Sequence, residues 1–288
     1  MENIYALHAD LANFRYKHSG YLFFNISDPK PRIIHKAAVR DRLLHHAIHR
    51  KLYPFFDRTF IFDSYSCRID KGTRKALDLF SQFGRQVSKD NKRTCWVLKC
   101  DVKKFFANID HEILLEILAA YIPDKNILWL LHAVVNSFET RPGVGLPLGN
   151  LTSQLFINVY MNEFDQLMKH KIKAKRYIRY ADDFVVFSED KEGLEIILRQ
   201  ISEVLFTKFK LELHTDKVFI KTLVSGVDFL GWVHFPTHQV LRTSTKRRMI
   251  KNVAERPVKE TVNSYLGLLK HGDTYFWQQF IREQCAEI

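Results

Sequence analysis

The 288 residues carry 44 Lys+Arg against 32 Asp+Glu, a formal charge of +12, and 46% of them are hydrophobic. That content can fill a sizeable core, as one large or two to three small domains, and excludes a disordered chain; the positive balance favours a polyanionic partner that releases counterions on binding. The four cysteines, Cys67, Cys95, Cys100 and Cys285, form no C-x-x-C pair and no zinc spacing, which predicts reduced thiols, and with no signal-peptide order after Met1 and no long apolar run the expectation is a cytoplasmic protein without a membrane span.

In chain order, Tyr21-Leu22-Phe23-Phe24-Asn25-Ile26 predicts a strand, turned at Ser27-Asp28-Pro29-Lys30-Pro31 and returned by Arg32-Ile33-Ile34 as a basic hairpin. Val39, Leu43, Leu44, Ala47, Ile48 and Leu52 repeat at helical spacing over 37–52, and Pro54 should end that helix. His45, His46 and His49 lack the Glu of an H-E-x-x-H site, so they read as a helix surface facing nucleic acid or solvent. A loop over 63–73 precedes a helix over 73–87 with Ala76, Leu79, Phe80 and Phe83 on one face.

Trp96-Val97-Leu98-Lys99-Cys100-Asp101-Val102 suits a strand buried on both faces that ends in a carboxylate, and Asp101 is costly there without a partner cation. Asp110 and Asp124 should start two helices. The loop Arg141-Pro142-Gly143-Val144-Gly145-Leu146-Pro147-Leu148-Gly149-Asn150 is Gly/Pro-rich but is no P-loop; Thr152 or Ser153 should cap the helix after it, which sends Leu155, Phe156, Val159, Tyr160, Phe164 and Leu167 to the core.

Tyr177, Ile178 and Tyr180 before Asp182-Asp183, and Phe184 to Phe187 after, read as a hairpin with acid at its tip. Strand side chains alternate in direction, so one aspartate should lead and the other support; Asp182 is taken as the leader. An Asp-Asp pair is more often a simple turn. A functional pair requires a third carboxylate at the end of another buried strand, because Mg²⁺ at a polymerising site is held by one or two carboxylates plus substrate phosphates, and Asp101 meets that requirement. Leu194, Ile197, Leu198, Ile201, Leu205 and Phe206 mark an amphipathic helix that should back the sheet. Strands over 217–223 and 227–235 follow, the second broken by Gly231, and beyond Pro236 a small basic appendage of shorter helices carries Lys246-Arg247-Arg248.

The order Asp101-Val102-Lys103-Lys104-Phe105-Phe106, Gly145-Leu146-Pro147-Leu148-Gly149-Asn150-Leu151-Thr152-Ser153-Gln154, Tyr180-Ala181-Asp182-Asp183 and Phe229-Leu230-Gly231 resembles a bacterial reverse transcriptase, related to those of group II introns and retrons. Ser153-Gln154 in place of Ser-Pro, with Leu148 where many members carry Gln, is similar to the branch from diversity-generating retroelements. The resemblance, over about 30–275, implies an α+β right-hand polymerase: fingers 1–94, a mainly antiparallel palm 95–235 with 111–145 partly returning to the fingers, and a thumb 236–288. Related enzymes carry a helical stretch before the position matching Ile4 to Leu22, which implies a compact version or an internal start.

The implied chemistry is RNA-directed DNA synthesis with two Mg²⁺ ions roughly 4 Å apart, for which Mn²⁺ can substitute. Asp101 and Asp182 would bridge them, the Val102 carbonyl would add an oxygen, and Asp183 would tune the site. Lys30, Arg32, Leu148, Gly149 and Lys217 would contact the nucleotide, with Phe106 as the gate against a ribose 2′-hydroxyl; Phe105 reads as core. Arg40, Arg42, Ser153, Gln154, Tyr180, Phe229, Leu230, Gly231, Lys246 and Arg247 would meet template or primer. Implied partners are an RNA template, a DNA or RNA primer, deoxynucleoside triphosphates and a small basic accessory protein. Leu148 cannot donate the hydrogen bond of a Gln, which implies error-prone copying. The reading of another class is an RNA-binding or phage-defence protein of the same fold without processive copying.

Overall fold

A computed structural model describes residues 2–27, 31–255 and 258–284. Lys30 and Cys285 lie outside them. The chain divides into two compact units, one of residues 1–72, 99–186 and 195–219, the other of 73–98, 187–194 and 220–288.

In the first unit, α1 (Glu2–Ala12) precedes an antiparallel hairpin of β1 (Tyr21–Ile26) and β2 (Arg32–Ala37), in which Ile26 pairs with Arg32 and Tyr21 with Ala37. The helix α1 was not foreseen; among its described side chains only Leu7 is fully buried. Helix α2 (Val39–Phe56) corrects two expectations. Pro54 lies inside the helix, since a proline in the last turn forfeits one hydrogen bond while Asp57 N–H still closes on the Tyr53 carbonyl and Phe56 is buried.

The buried face of α2 is also rotated from the expected one. Val39 and Leu43 are exposed, while Asp41 and His45 are buried. Tyr16 donates to Asp41 Oδ1 at 2.8 Å, the Ser19 backbone N–H reaches Asp41 Oδ2, and His45 Nδ1 lies 2.6 Å from Thr152 Oγ1. Burial holds the His45 imidazole down at about 4 and therefore neutral, so this histidine is a core group and does not face nucleic acid.

The second unit holds α3 (Thr73–Ser88), which buries Ala76, Leu77, Phe80 and Phe83, with Leu79 half-buried. Strand β3 (Trp96–Asp101) is buried along its middle as expected. Back in the first unit, Asp110 caps α4 (His111–Tyr121) by accepting from Ile113 N–H, and Asp124 caps α5 (Lys125–Val135) by accepting from Asn126 and Ile127. Helix α6 (Leu151–His170) starts at Asn150 instead of Thr152 or Ser153, both of which are buried within it; it is enclosed on nearly every side, with Leu167 only half-buried.

Strands β4 (Tyr177–Tyr180) and β5 (Asp183–Ser188) form the expected antiparallel hairpin. Helix α7 (Lys191–Phe209) buries Leu194, Ile201, Leu205 and Phe209; Phe206 is exposed, since Phe209, one turn on, takes the core position. Strand β6 (Phe219–Thr222) completes a four-stranded sheet of order β4-β5-β3-β6. The second unit continues with β7 (Val227–Phe229), β8 (Trp232–His234) and the unforeseen β9 (Gln239–Leu241), an antiparallel meander, then α8 (Thr243–Glu255), α9 (Lys259–Leu269) and α10 (Tyr275–Gln284). Among the described residues no helix is long and apolar enough to cross a membrane.

Candidate active site

Two strand ends bring the carboxylates together. At the close of β3, Asp101 Oδ1 accepts a 2.7 Å hydrogen bond from Lys217 Nζ, the cation that the sequence demanded for a carboxylate on a buried strand. Its neighbour Val102 is buried, and the Val102 N–H donates to the Asp182 carbonyl at 3.0 Å, which locks the end of β3 to the tip of the β4–β5 hairpin. Tyr180 and Asp183 pair across the turn, leaving Ala181 and Asp182 at the tip, with Ala181 in the left-handed region at φ 57°.

The electrostatics separate the two tip aspartates. Burial raises the Asp182 carboxyl above its usual range and the charge of Asp101 adds to this; Lys217 and Arg32 oppose it. Asp183 is pushed up to about 6, chiefly by burial, against the pull of Lys99. Lys99 Nζ, almost fully buried, lies 2.9 Å from Asp183 Oδ1, close enough for charge pairing but not aligned as a hydrogen bond, so that oxygen has no donor. Lys99 was missed as a site residue, although a lone charge inside an otherwise apolar strand was a visible signal.

Three carboxylates supply hard oxygen donors of the kind that Mg²⁺ takes, and an oxygen of Asp183 without a donor fits that chemistry. Among the described residues no three acidic, His or Cys side chains converge as a ready-made metal cluster, and Lys217 and Lys99 stand against Asp101 and Asp183. The donor set thus fits a divalent cation that displaces lysine charge as it enters.

The Gly-rich loop is pinned beside the basic hairpin. His35 N–H donates to the Leu148 carbonyl at 2.8 Å, and Asn150 Nδ2 donates to the His35 carbonyl at 2.9 Å. A Cβ on Gly149 would come within 2.7 Å of Ile34 Cγ2, and its φ of 107° suits glycine alone. Asn150 therefore spends its amide on the hairpin and not on capping α6, a role that the sequence did not reveal. Phe106 sits half-buried in a short 3-10 turn, Phe105–Asn108, where its carbonyl accepts from Leu146 N–H, while Phe105 is core.

The remaining sequence-predicted residues are dispersed. Arg32 and Arg42 are exposed, whereas the Arg40 guanidinium is held by Asp10 at 2.5 Å and lies over the Tyr16 ring. Ser153 and Phe229 are buried, and Gln154 and Tyr180 are half-buried. Leu230 and Gly231 make the β7–β8 turn at positive φ, and on α8 Arg247 is exposed while Lys246 lies over the Trp277 ring.

An α+β assembly of antiparallel strands with carboxylates at two strand ends, backed by long helices, defines a right-hand polymerase fold. In solved structures the same fold appears in apo telomerase from Candida tropicalis, at TM-score 0.61, 12% identity, covering 93% of this chain and 56% of that one, and in Candida albicans telomerase bound to a fragment of telomeric RNA, at TM-score 0.59, 11% identity, covering 81% and 48%. Residues 25–234 match the family described as "Reverse transcriptase (RNA-dependent DNA polymerase)". This chain belongs to that family.

Among its relatives, protein YkfC of Escherichia coli is 24% identical, covering 82% of this chain and 70% of that protein. The group II intron-encoded protein LtrA of Lactococcus lactis is 22% identical, covering 80% and 47%, and the retron Ec73 reverse transcriptase of Escherichia coli is 23% identical, covering 67% of each. The chain thus spans less than half the length of LtrA and 70% or less of the other two.

Proposed function

We propose that this chain is an RNA-directed DNA polymerase that adds deoxynucleotides to a primer by two-metal nucleotidyl transfer. The observation that carries the reading is the approach of Asp101 and Asp182, joined by the Val102–Asp182 backbone bond and close enough for one charge to raise the other's pKa. Two Mg²⁺ ions, or Mn²⁺ in their place, would activate the primer 3′-hydroxyl and neutralise charge on the leaving pyrophosphate. Asp101 and Asp182, with the Val102 carbonyl, would hold that pair; Asp183 sets the local charge against Lys99 and would be the weaker ligand. Arg32, with Lys30, would grip the triphosphate, and Lys217, hydrogen-bonded to Asp101, would be the donor of a proton to the leaving pyrophosphate.

Phe106 blocks a ribose 2′-hydroxyl, and Leu148 and Gly149 line the base and sugar of the incoming nucleotide. Arg42, Gln154, Tyr180, the Leu230-Gly231 turn, Lys246 and Arg247 guide the template and primer. The RNA template is supported by the family and by the RNA-bound telomerase of the same fold. The finer reading is error-prone copying in the cytoplasm for a diversity-generating retroelement, with a small basic accessory protein; Leu148 and Ser153-Gln154 carry it.

The test is sequenced primer extension on an RNA template containing all four bases, with Mg²⁺ and deoxynucleotides, comparing wild type with Asp182→Asn. DNA from wild type alone supports the polymerase, and errors concentrated at template adenines that fall on Leu148→Gln support the branch. Accurate DNA removes the mutagenic reading. A chain that binds RNA but makes no aspartate-dependent DNA, even with its native RNA and neighbouring gene product, favours the binding or defence protein.

A further inference from the structure

Arg179, two residues before the tip of the acidic hairpin on β4, is fully buried, as is its partner Asp165 on α6. Its Nε donates to both Asp165 oxygens at 2.8 and 2.9 Å, and its Nη2 donates to Asp165 Oδ2 at 2.6 Å. The Tyr177 hydroxyl completes the carboxylate by donating to Oδ1 at 2.7 Å. A buried guanidinium is tolerated only when paired and hydrogen-bonded, and this fork meets both conditions without reaching any surface.

One arm of the guanidinium remains. Nη1 donates to the Ala181 carbonyl at 3.1 Å and approaches Asn158 Oδ1 at 3.3 Å. Ala181 is the residue in the left-handed region, at φ 57°, a conformation that costs a residue with a Cβ about 1 kcal/mol or more. The turn is therefore latched on both sides of Asp182: Arg179 holds the Ala181 carbonyl before it, and the Val102 N–H holds the Asp182 carbonyl after it.

The backbone of Arg179 ties the same point to the loop at 63–66. Its N–H donates to the Asp63 carbonyl at 2.9 Å and its carbonyl accepts from Tyr65 N–H at 2.9 Å, while Asn158 Nδ2 donates to the Ser66 carbonyl and Lys169 Nζ pairs with Asp63 at 2.6 Å. That loop thus clamps the edge of β4 beside the turn.

We propose that Arg179, fixed by Asp165 and Tyr177, is a positioning residue that sets the Asp182 carboxylate by holding the strained Ala181 carbonyl from behind. It touches neither substrate nor metal. The proposal rests on the polymerase reading for its kinetic arm but not for its binding arm. A one-ångström displacement of a reacting group can cost about a hundredfold in rate. Arg179→Lys keeps the charge beside Asp165 but loses the fork and the reach to Ala181.

The experiment measures, on Arg179→Lys, single-turnover primer extension per active site, the KM for deoxynucleotide, thermal stability, and Mn²⁺ affinity by titration of the protein alone. The expected result is a rate lower by about 10- to 100-fold with KM within about twofold, and weaker Mn²⁺ binding. A second change, Ala181→Gly, removes the cost of positive φ; the double variant should recover part of the lost rate and Mn²⁺ affinity. Wild-type rate per active site and wild-type Mn²⁺ affinity in a folded Arg179→Lys protein would overturn the proposal, as would a loss that Ala181→Gly leaves unchanged.

If Arg179→Lys does not fold, Tyr177→Phe is measured in its place. It removes only the phenol bond to Asp165, and a rate lower by about two- to fivefold with weaker Mn²⁺ binding supports the proposal, whereas wild-type values overturn it. Absence of synthesis by wild type refutes the polymerase reading, and the Mn²⁺ titration still decides the role of Arg179.

Discussion

Lys99 and Asp183 form a pair whose balance depends on pH. The folded-state pKa of Asp183, at about 6, lies above its usual value of 3.8, so the folded protein holds this proton more tightly than the unfolded chain. Its contribution to stability is present below pH 4 and is lost as pH rises through about 6. Lys99→Met should cost about 1–3 kcal/mol at pH 8, where a partly buried carboxylate is left unpaired, and clearly less at pH 5, where that carboxyl is protonated. Denaturant unfolding of the metal-free protein at both pH values checks this, and equal costs would show that Lys99 does not neutralise Asp183. Lys217 is the opposite case. Its side chain is 39% exposed, so Lys217→Met should change stability by less than about 1 kcal/mol. As the donor to pyrophosphate it should nevertheless slow single-turnover synthesis by about 10²-fold or more, and a wild-type rate would make it a plain counter-ion to Asp101.

At the level of elements, the loop at 145–150 and the β1–β2 hairpin act as one part, because the Leu148 carbonyl and the Asn150 amide are both bound to His35. Gly149→Ala forces a Cβ to within 2.7 Å of Ile34 at a φ that favours glycine; it should cost about 1–3 kcal/mol and raise the KM for deoxynucleotide by shifting Arg32. Thermal unfolding and steady-state kinetics on that variant test both effects, and an unchanged KM would uncouple the hairpin from the nucleotide. This coupling also shows what the sequence could express. The strands β3, β4 and β5 and the caps Asp110 and Asp124 were legible because apolar runs and capping chemistry are local signals. The buried face of α2 was not, since Asp41 and His45 are satisfied by Tyr16, Ser19 and Thr152, which lie 22 to 107 residues away. Arg179 directly precedes the Tyr180-Ala181-Asp182-Asp183 motif, but its partner Asp165 is 14 residues earlier on a helix whose spacing announces only a core.

For the whole molecule, the excess of 12 positive charges predicts how the chain meets nucleic acid. Each backbone phosphate neutralised on a duplex releases condensed counterions, so the logarithm of affinity should fall with the logarithm of salt by about 0.9 per contact. With six or more contacts, primer–template affinity should fall by about 10³-fold between about 50 and 200 mM salt. The cations are not equivalent, however. Lys251 pairs with Glu255 one turn on along α8 at 3.6 Å, and Lys246 leans over the Trp277 ring of α10, so part of their charge is already answered. Arg247 is exposed on α8. Arg247→Ala should therefore lower the salt slope by about one, uniformly across template sequences, because a phosphate contact positions the duplex without reading bases. Asp182→Asn should abolish synthesis while leaving that slope intact if, as proposed, its carboxylate serves metal and not the nucleic-acid backbone. Fluorescence anisotropy with a labelled hybrid duplex over a salt series measures both variants against wild type. A slope unchanged by Arg247→Ala would remove α8 from the duplex path, and a slope altered by Asp182→Asn would mean that the charge of the acidic hairpin helps to set how the duplex binds.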